Sequence, residues 1–299
     1  MNEADFIAAL RTLPLHPGAA GLYDDTAQLG DLILTKDMVA QGVHYLPTDP
    51  ARDVAWKLMA VNLSDLAAKG AEPVGALLGY PLGDDDWDRD FLTGLGEAAA
   101  AFGCPLLGGD TIRVDGPRVL SLTAIGRAGA RVPVRGGAQA GDVLWVAGVV
   151  GDAALGLSIA QGEAGPPELL AAYRRPTPLL REGRAIARVA TAMMDVSDGL
   201  LIDASRMGMA SGCGVAIDLA AVPRSRAACA HAGTDRAARL RAATGGDDYA
   251  LLFALPDGTA PPVPAARLGV FGPGAGLHLT DEGQAVDLPK TLGWEHAAR

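Results

Sequence analysis

A ten-residue stretch rich in glycine and alanine, PVRGGAQAGD at 133–142, interrupts the chain near its middle. Glycines and a proline so close together punctuate regular structure, so the stretch reads as a boundary between two units, 1–136 and 137–299. A chain of 299 residues is long enough for two ordinary domains, each with its own core. On both sides of the break, short apolar runs alternate with helix-length segments, so each unit mixes helix and strand.

In the first unit, residues 31–35, 74–80 and 118–127 read as strands, the last on alternating Leu120, Leu122 and Ala124. Residues 50–69 read as a helix with Asp49 as its N-cap, Pro50 at the first helical position and Gly70 at its stop. Residues 86–102 read as a second helix, ended by Gly103. In the second unit, 143–149, 193–196, 215–219 and 249–255 read as strands. Residues 152–161, 179–192 and 200–210 read as helices, and the proline-bearing 162–178 as a loop or broken helix. No short-period repeat is present.

The formal net charge of −10 argues against nucleic acid as a partner, because the chain would repel a phosphate backbone. Three cysteines without a CxxC pair argue against a zinc site of ordinary spacing and suit a reducing compartment. Residues 1–11 lack a basic segment followed by an apolar one, and no uncharged apolar run reaches the roughly 18 to 20 residues of a membrane span. The expectation is a cytoplasmic protein with no membrane partner.

The informative feature is where the carboxylates fall. Val54, Leu58 and Val61 form one stripe of the helix from Pro50, and Asp65 is its next member. A carboxylate on a packed face needs a cation, donors or water; otherwise the helix end is exposed by residue 65. Asp24-Asp25 precede the first strand and Asp37 ends it. GGDT at 108–111 places Asp110 at the mouth of a strand, after two glycines that let the backbone approach a ligand. DVSDGL at 195–200 sets Asp195, Ser197 and Asp198 before a helix N-terminus, more acceptors than an N-cap requires. GGDDY at 245–249 precedes an apolar strand. Each alone fits an ordinary turn; together they form a pattern.

Hard oxygen ligands suit Mg²⁺, which takes one or two carboxylates and completes its shell with water and phosphate. A dispersed set of aspartates therefore points to several Mg²⁺ ions around a polyphosphate. The sequence has no G-x-x-x-x-G-K-[ST] loop, no H-R-D and D-F-G pair, and no G-x-G-x-x-G after a first strand. One reaction fits without a catalytic base. A phosphate monoester, whose second pKa is about 6, is already ionised when it attacks the γ-phosphate of ATP. Charge neutralisation and in-line positioning are then the requirements, and no catalytic residue stands apart from the metal and phosphate set.

NLSDLAAKGA at 62–71, GGDT, DVSDGL and GGDDY, in this order and with DMVAQGVH at 37–44, resemble the signature blocks of thiamine-monophosphate kinases. The resemblance runs from about residue 22 to residue 296. It implies an aminoimidazole ribonucleotide synthetase-like two-domain α/β fold, with an α+β N-terminal domain and an α/β C-terminal domain. It further implies transfer of the γ-phosphate of ATP to thiamine monophosphate and a homodimer with ATP near the interface. By the same resemblance Asp25, Asp37, Asp65, Asp110, Asp195 and Asp198 look like Mg²⁺ ligands, with Thr35 adding its hydroxyl or carbonyl. Gly109, Arg135 and Ser197 look like ATP contacts, and His44, Asp247 and Trp294 like thiamine-phosphate contacts. Tyr23 stands where the family usually has Gly, Lys36 where it has Thr, and Asp247 where it has Glu. Two alternatives keep the fold: another ATP-dependent synthetase of the superfamily, or a nucleotide-binding homologue without turnover.

Overall fold

The computed structural model describes residues 3–295. The first unit runs α1 (Glu3–Leu10), β1 (Ala27–Leu29), β2 (Leu32–Ala40), α2 (Ala51–Ala68), β3 (Glu72–Leu82), α3 (Asp85–Phe102), β4 (Leu106–Arg113) and β5 (Val119–Arg127). Its strands form one sheet in the order β1-β2-β5-β3-β4, antiparallel except for the β3–β4 pair at one edge. Alternation on β2 and β5 turns Ile33, Leu120, Leu122 and Ala124 inward against α2 and α3. The opposite face of the sheet stays uncovered, with Met38, Leu77, Leu107 and Ile112 exposed on it or along its β4 edge.

The second unit runs β6 (Val143–Ala147), α4 (Asp152–Ala160), α5 (Pro167–Arg174), α6 (Leu180–Ile186), β7 (Ala192–Val196), α7 (Leu200–Ser211), β8 (Gly214–Asp218), α8 (Arg226–Ala232), α9 (Arg236–Thr244), β9 (Ala250–Leu255), β10 (Ala266–Gly272), β11 (Leu277–Asp281) and β12 (Gln284–Val286). These strands form a seven-stranded sheet in the order β12-β11-β8-β10-β6-β9-β7, with only β8–β11 parallel. Strand β9 is buried along its whole length, as its unbroken apolar run ALLFAL requires.

Helix α2 joins the two units. Fourteen of its 18 residues are buried, so it has no solvent face of the usual width. One side packs on β2, β5 and α3, the other on α5, α6 and β7. Ala67 and Ala68 enter a shared core with Ile186, Met193, Leu251 and Phe253. Each large apolar side chain fully buried here contributes about 1.5–3 kcal/mol. Trp56 Nε1 donates to the Pro176 carbonyl at 2.9 Å, and Arg175 pairs with Asp53 at 2.5 Å.

Four readings of the sequence need correction. Pro50, not Asp49, is the N-cap of α2, and it makes no side-chain cap bond. The Asp49 carboxylate instead accepts from the Leu46 N–H, the Tyr173 hydroxyl and Arg174. Residues 162–178 contain a full helix, α5, which starts at Pro167. The helix read over 179–192 stops at Ile186; residues 187–189 form turns and Ala192 opens β7. GGDT lies inside β4 rather than at its mouth.

Candidate active site

The carboxylates gather where β2, α2, β7 and the turn into α7 meet. Thr35 on β2 donates its hydroxyl to Asp65 on α2. The Asp37 N–H donates to Asn62 Oδ1 at 2.9 Å, and Ser64 donates to Asp195 Oδ2 at 2.5 Å. Lys69, in the residue that caps α2, is fully buried. Its ammonium pairs with Asp24 and, at 2.9 Å, with Asp25, and lies 3.4 Å from the Met193 carbonyl. Arg135 donates to the other oxygen of Asp25. Asp25 Oδ2 is itself buried and makes no well-aligned hydrogen bond, despite the nearby ammonium.

Burial pushes the Asp37 carboxyl up to about 6, and the charges of Asp25 and Asp198 push the same way. Burial, then the charge of Asp25, raises Asp195 to about 8. Asp65 goes well above the usual carboxylate range through burial and through Asp37, Asp195 and Asp25. For Asp25, burial acts upward, but Lys69 and Arg135 together hold the carboxyl well below that range. Asp37, Asp65 and Asp195 thus all sense the charge of Asp25. Among the described residues, however, no three acidic, histidine or cysteine side chains stand close enough to enclose a metal ion. Lys69 and Arg135 draw Asp25 to one side, and Arg206 draws Asp198 to another.

The DVSDGL turn is built from behind. The N–H groups of Asp198 and Gly199 donate to Asp203 Oδ2 at 3.1 and 3.3 Å. Arg206 bridges Asp198 and Asp203. Burial and the charge of Asp198 raise Asp203 to about 7. Gly199 has φ +131°, and a Cβ there would stand 3.2 Å from the backbone of Thr244 and Gly245, so only glycine lets the turn meet the GGDDY loop.

That loop carries backbone strain. Asp247 and Tyr249 have φ of +74° and +53°. Left-handed conformations cost a non-glycine residue about 1 kcal/mol or more. Their N–H groups repay part of this through bonds to the Ser197 carbonyl at 2.7 Å and the Val196 carbonyl at 2.8 Å. The Asp247 carboxylate accepts from the Tyr249 hydroxyl at 2.9 Å and pairs with Lys57, a buried residue of α2. Lys57 also donates to the His44 carbonyl at 3.1 Å and stands 4.1 Å over the Tyr173 ring. His44 Nδ1 accepts from the Ala40 N–H at 3.0 Å. Trp294 is half exposed, and its N–H donates to the Asp198 carbonyl at 2.8 Å. Asp248 caps α4, accepting from Gly151 and Ala153, and burial raises it to about 8.

Asp25, Thr35, Asp37, Asp65, Asp195 and Asp198 therefore lie in one region with Arg135; the carbonyls of Ser197 and Asp198 hold the backbones of Asp247 and Trp294, and His44 reaches Asp247 through Lys57. Gly109 and Asp110 do not join them. They lie on the exposed edge strand β4, with β3 and β5 between them and β2. Asp110 is in register with Gly79, Ser121 and Met38, the row that faces away from α2. A Cβ at Gly109 would stand 1.9 Å from the Leu78 carbonyl oxygen, so strand packing by itself requires this glycine.

Sequence reasoning missed Lys57, Lys69, Asp203 and Arg206. A signal existed for two of them. Lys57, Val61, Asp65 and Lys69 are spaced by four and share one helical stripe, so the face that made Asp65 conspicuous also carried two buried cations.

Two domains of mixed helix and sheet, with a carboxylate cluster at their joint, define a protein of the AIR synthase-related class. Residues 20–128 match the family described as AIR synthase related protein, N-terminal domain, and residues 139–260 match its C-terminal domain. Within that class, the chain belongs to the thiamine-monophosphate kinase family and is an enzyme of that kind. It is 40% identical to the thiamine-monophosphate kinase of Caulobacter vibrioides, over 99% of this chain and 91% of that protein. A solved structure described as AaThiL complexed with AMPPCP and TMP superposes with a TM-score of 0.85 at 29% identity, covering 99% of this chain and 97% of that one. The thiamine-monophosphate kinase structure from Stenotrophomonas maltophilia gives a TM-score of 0.78 at 35% identity, covering 94% and 96%. Among the described residues no helix is long and apolar enough to cross a membrane.

Proposed function

We propose that this chain transfers the γ-phosphate of ATP to thiamine monophosphate by direct in-line displacement, assisted by several Mg²⁺ ions. The carrying observation is the convergence of Asp37, Asp65 and Asp195 where β2, α2 and β7 meet, a place in which burial first, and neighbouring carboxylates second, raise all three above the ordinary carboxylate range. Such a cluster is costly without a cation, and the buried Lys69 ammonium answers only Asp24 and Asp25. All the donors are hard oxygens, so the residues fit Mg²⁺. Asp25, Thr35, Asp37, Asp65, Asp195 and Asp198 would hold it, and bound Mg²⁺ would offset the repulsion between two phosphorylated reactants.

This chain's own residues supply the rest. Arg135 and Ser197 contact the nucleotide phosphates. Trp294 offers a half-exposed ring to the thiazolium, a cation that favours an aromatic face. Asp247 and His44 border the same substrate. Asp247 is already neutralised by Lys57, so its part is to accept a hydrogen bond rather than to balance the thiazolium charge. The functional units are 1–136, for ATP, Mg²⁺ and dimerisation, and 137–299. Gly109 and Asp110 would reach a nucleotide only in a homodimer in which a second copy covers β4, and the exposed Leu107 and Ile112 of that edge favour such a pairing. The setting is the cytoplasm, without nucleic-acid partners.

A coupled ADP-release assay, with and without thiamine monophosphate, tests the reading. ADP formed only with that substrate is the expected result. ADP formed without it, or tight ATP–Mg²⁺ binding with no ADP under either condition, would overturn it.

A further inference from the structure

A cavity of 290 Å³ opens in the second unit between α4, α8 and α9. None of the residues assigned above to phosphate, metal or thiamine lines it. Its size is close to the lower end of small-molecule pockets, about 300 Å³. Much of its wall is alanine, including Ala154, Ala228 and Ala242, side chains short enough to leave room for a flat body.

Two arginines set the chemistry. Arg224 Nη1 donates to the Gly233 carbonyl at 2.9 Å, and Arg241 Nη2 donates to the adjacent Ala232 carbonyl at 3.2 Å. The two guanidinium groups are therefore tethered to neighbouring peptide units at the end of α8. Each spends one of its five N–H donors there. Among the described residues neither has a carboxylate within 4.0 Å, although the chain carries 35 acidic residues. Both groups line the cavity with donors left for an anion. Arginine forks match phosphate oxygens in pairs.

We propose that this cavity binds a phosphate ester that carries a heteroaromatic ring, with its phosphate at Arg224 and Arg241 and its ring among the alanines. The site also has a route to the substrate loop. Thr244 and Gly245 belong to its wall, and the chain continues from them into Asp247. Gly151, another wall residue, donates its N–H to Asp248 at 2.7 Å. An occupant therefore bears on the segment that presents Asp247. Two ligands share the required chemistry: thiamine diphosphate, whose relevance rests on the proposed kinase reaction, and adenosine monophosphate, which does not depend on it.

Titration calorimetry of the full chain in excess chelator tests this, because the acidic joint then has no Mg²⁺ with which to hold phosphate. Thiamine diphosphate, adenosine monophosphate and inorganic phosphate are the separate titrants. At least one ester should bind at one per chain and more tightly than inorganic phosphate. Arg224→Gln with Arg241→Gln should weaken it by about tenfold or more, through loss of charge-assisted hydrogen bonds. Ser158→Phe, which fills the cavity and leaves both arginines, should also weaken it, whereas Asp198→Asn should leave it unchanged. Thermal unfolding of each variant separates loss of the site from loss of the fold. Absence of ester binding in chelator, survival of binding in both cavity variants, or its loss in Asp198→Asn would overturn the proposal. Ester binding without ADP release would sink the kinase reading and leave this one standing.

Discussion

Asp198 pairs with Arg206, which also grips the buried Asp203. If Asp198 supports metal-bound phosphate, Asp198→Asn should remove most turnover while the thermal midpoint changes little; activity within a few-fold of the parent would remove it from the metal set. Trp294→Ala should raise the KM for thiamine monophosphate and leave ATP affinity unchanged, since the indole is half exposed while its backbone is tied to Asp198. An unaltered KM would return Trp294 to a packing role. Residue identity was legible in the sequence wherever an aspartate broke an apolar pattern, as at Asp65 and Asp195. What could not be read was which charges would be paired. Lys69 and Lys57 find Asp25 and Asp247 across 44 and 190 positions of the chain, a matter of tertiary approach that spacing does not encode. Asp247 and Asp248, adjacent in sequence, divide into a strained residue paired with Lys57 and a cap on α4.

At the scale of elements, α2 carries the design. Its existence and its end at Gly70 follow from Pro50, the 3.6-residue stripe and the glycine, whose φ is +61°. Its role as a joint does not, because a helix buried on every side shows little amphipathic signal. Strands β10, β11 and β12 escaped for other reasons: Gly269 interrupts the alternation of β10, β11 and β12 are only five and three residues long, and the pairing of β10 and β11 with β6 and β8 is long-range. Helix α2 also makes a stability prediction that separates its packing from its polar work. Leu63→Ala should cost about 2–5 kcal/mol in denaturant unfolding, because Leu63 is fully buried. Ser64→Ala, one residue on, should cost about 1–3 kcal/mol by removing the donor to buried Asp195. A Ser64→Ala cost that is undiminished in an Asp195→Ala background would mean that packing, not the hydrogen bond, dominates there.

The whole molecule has two surfaces that remain unpaid by its own chain: the bare outer face of the five-stranded sheet and the buried carboxylates at the joint. Edge strand β4 exposes Leu107 and Ile112, and an apolar edge of this kind invites pairing with a second copy. Ile112→Lys should therefore shift the protein toward monomer in sedimentation, and an unchanged mass would place any interface elsewhere. The carboxylates give a pH signature whose sign is fixed by their shifts. Above about pH 4 these aspartates are ionised in the unfolded chain, while in the fold Asp37 keeps its proton to about 6, Asp195 to about 8, and Asp65 well beyond the usual range. The native state then binds more protons than the unfolded state, so stability in chelator must fall as pH rises from 5 toward 8. Asp25 runs the other way, but its lowered value confines its contribution to more acid conditions. Divalent cation binds only the ionised, folded cluster, so Mg²⁺ should raise the thermal midpoint more at pH 8 than at pH 5. A midpoint in chelator that stays level across this range, or an equal gain from Mg²⁺ at both ends, would show that the carboxylates do not share one enclosed space.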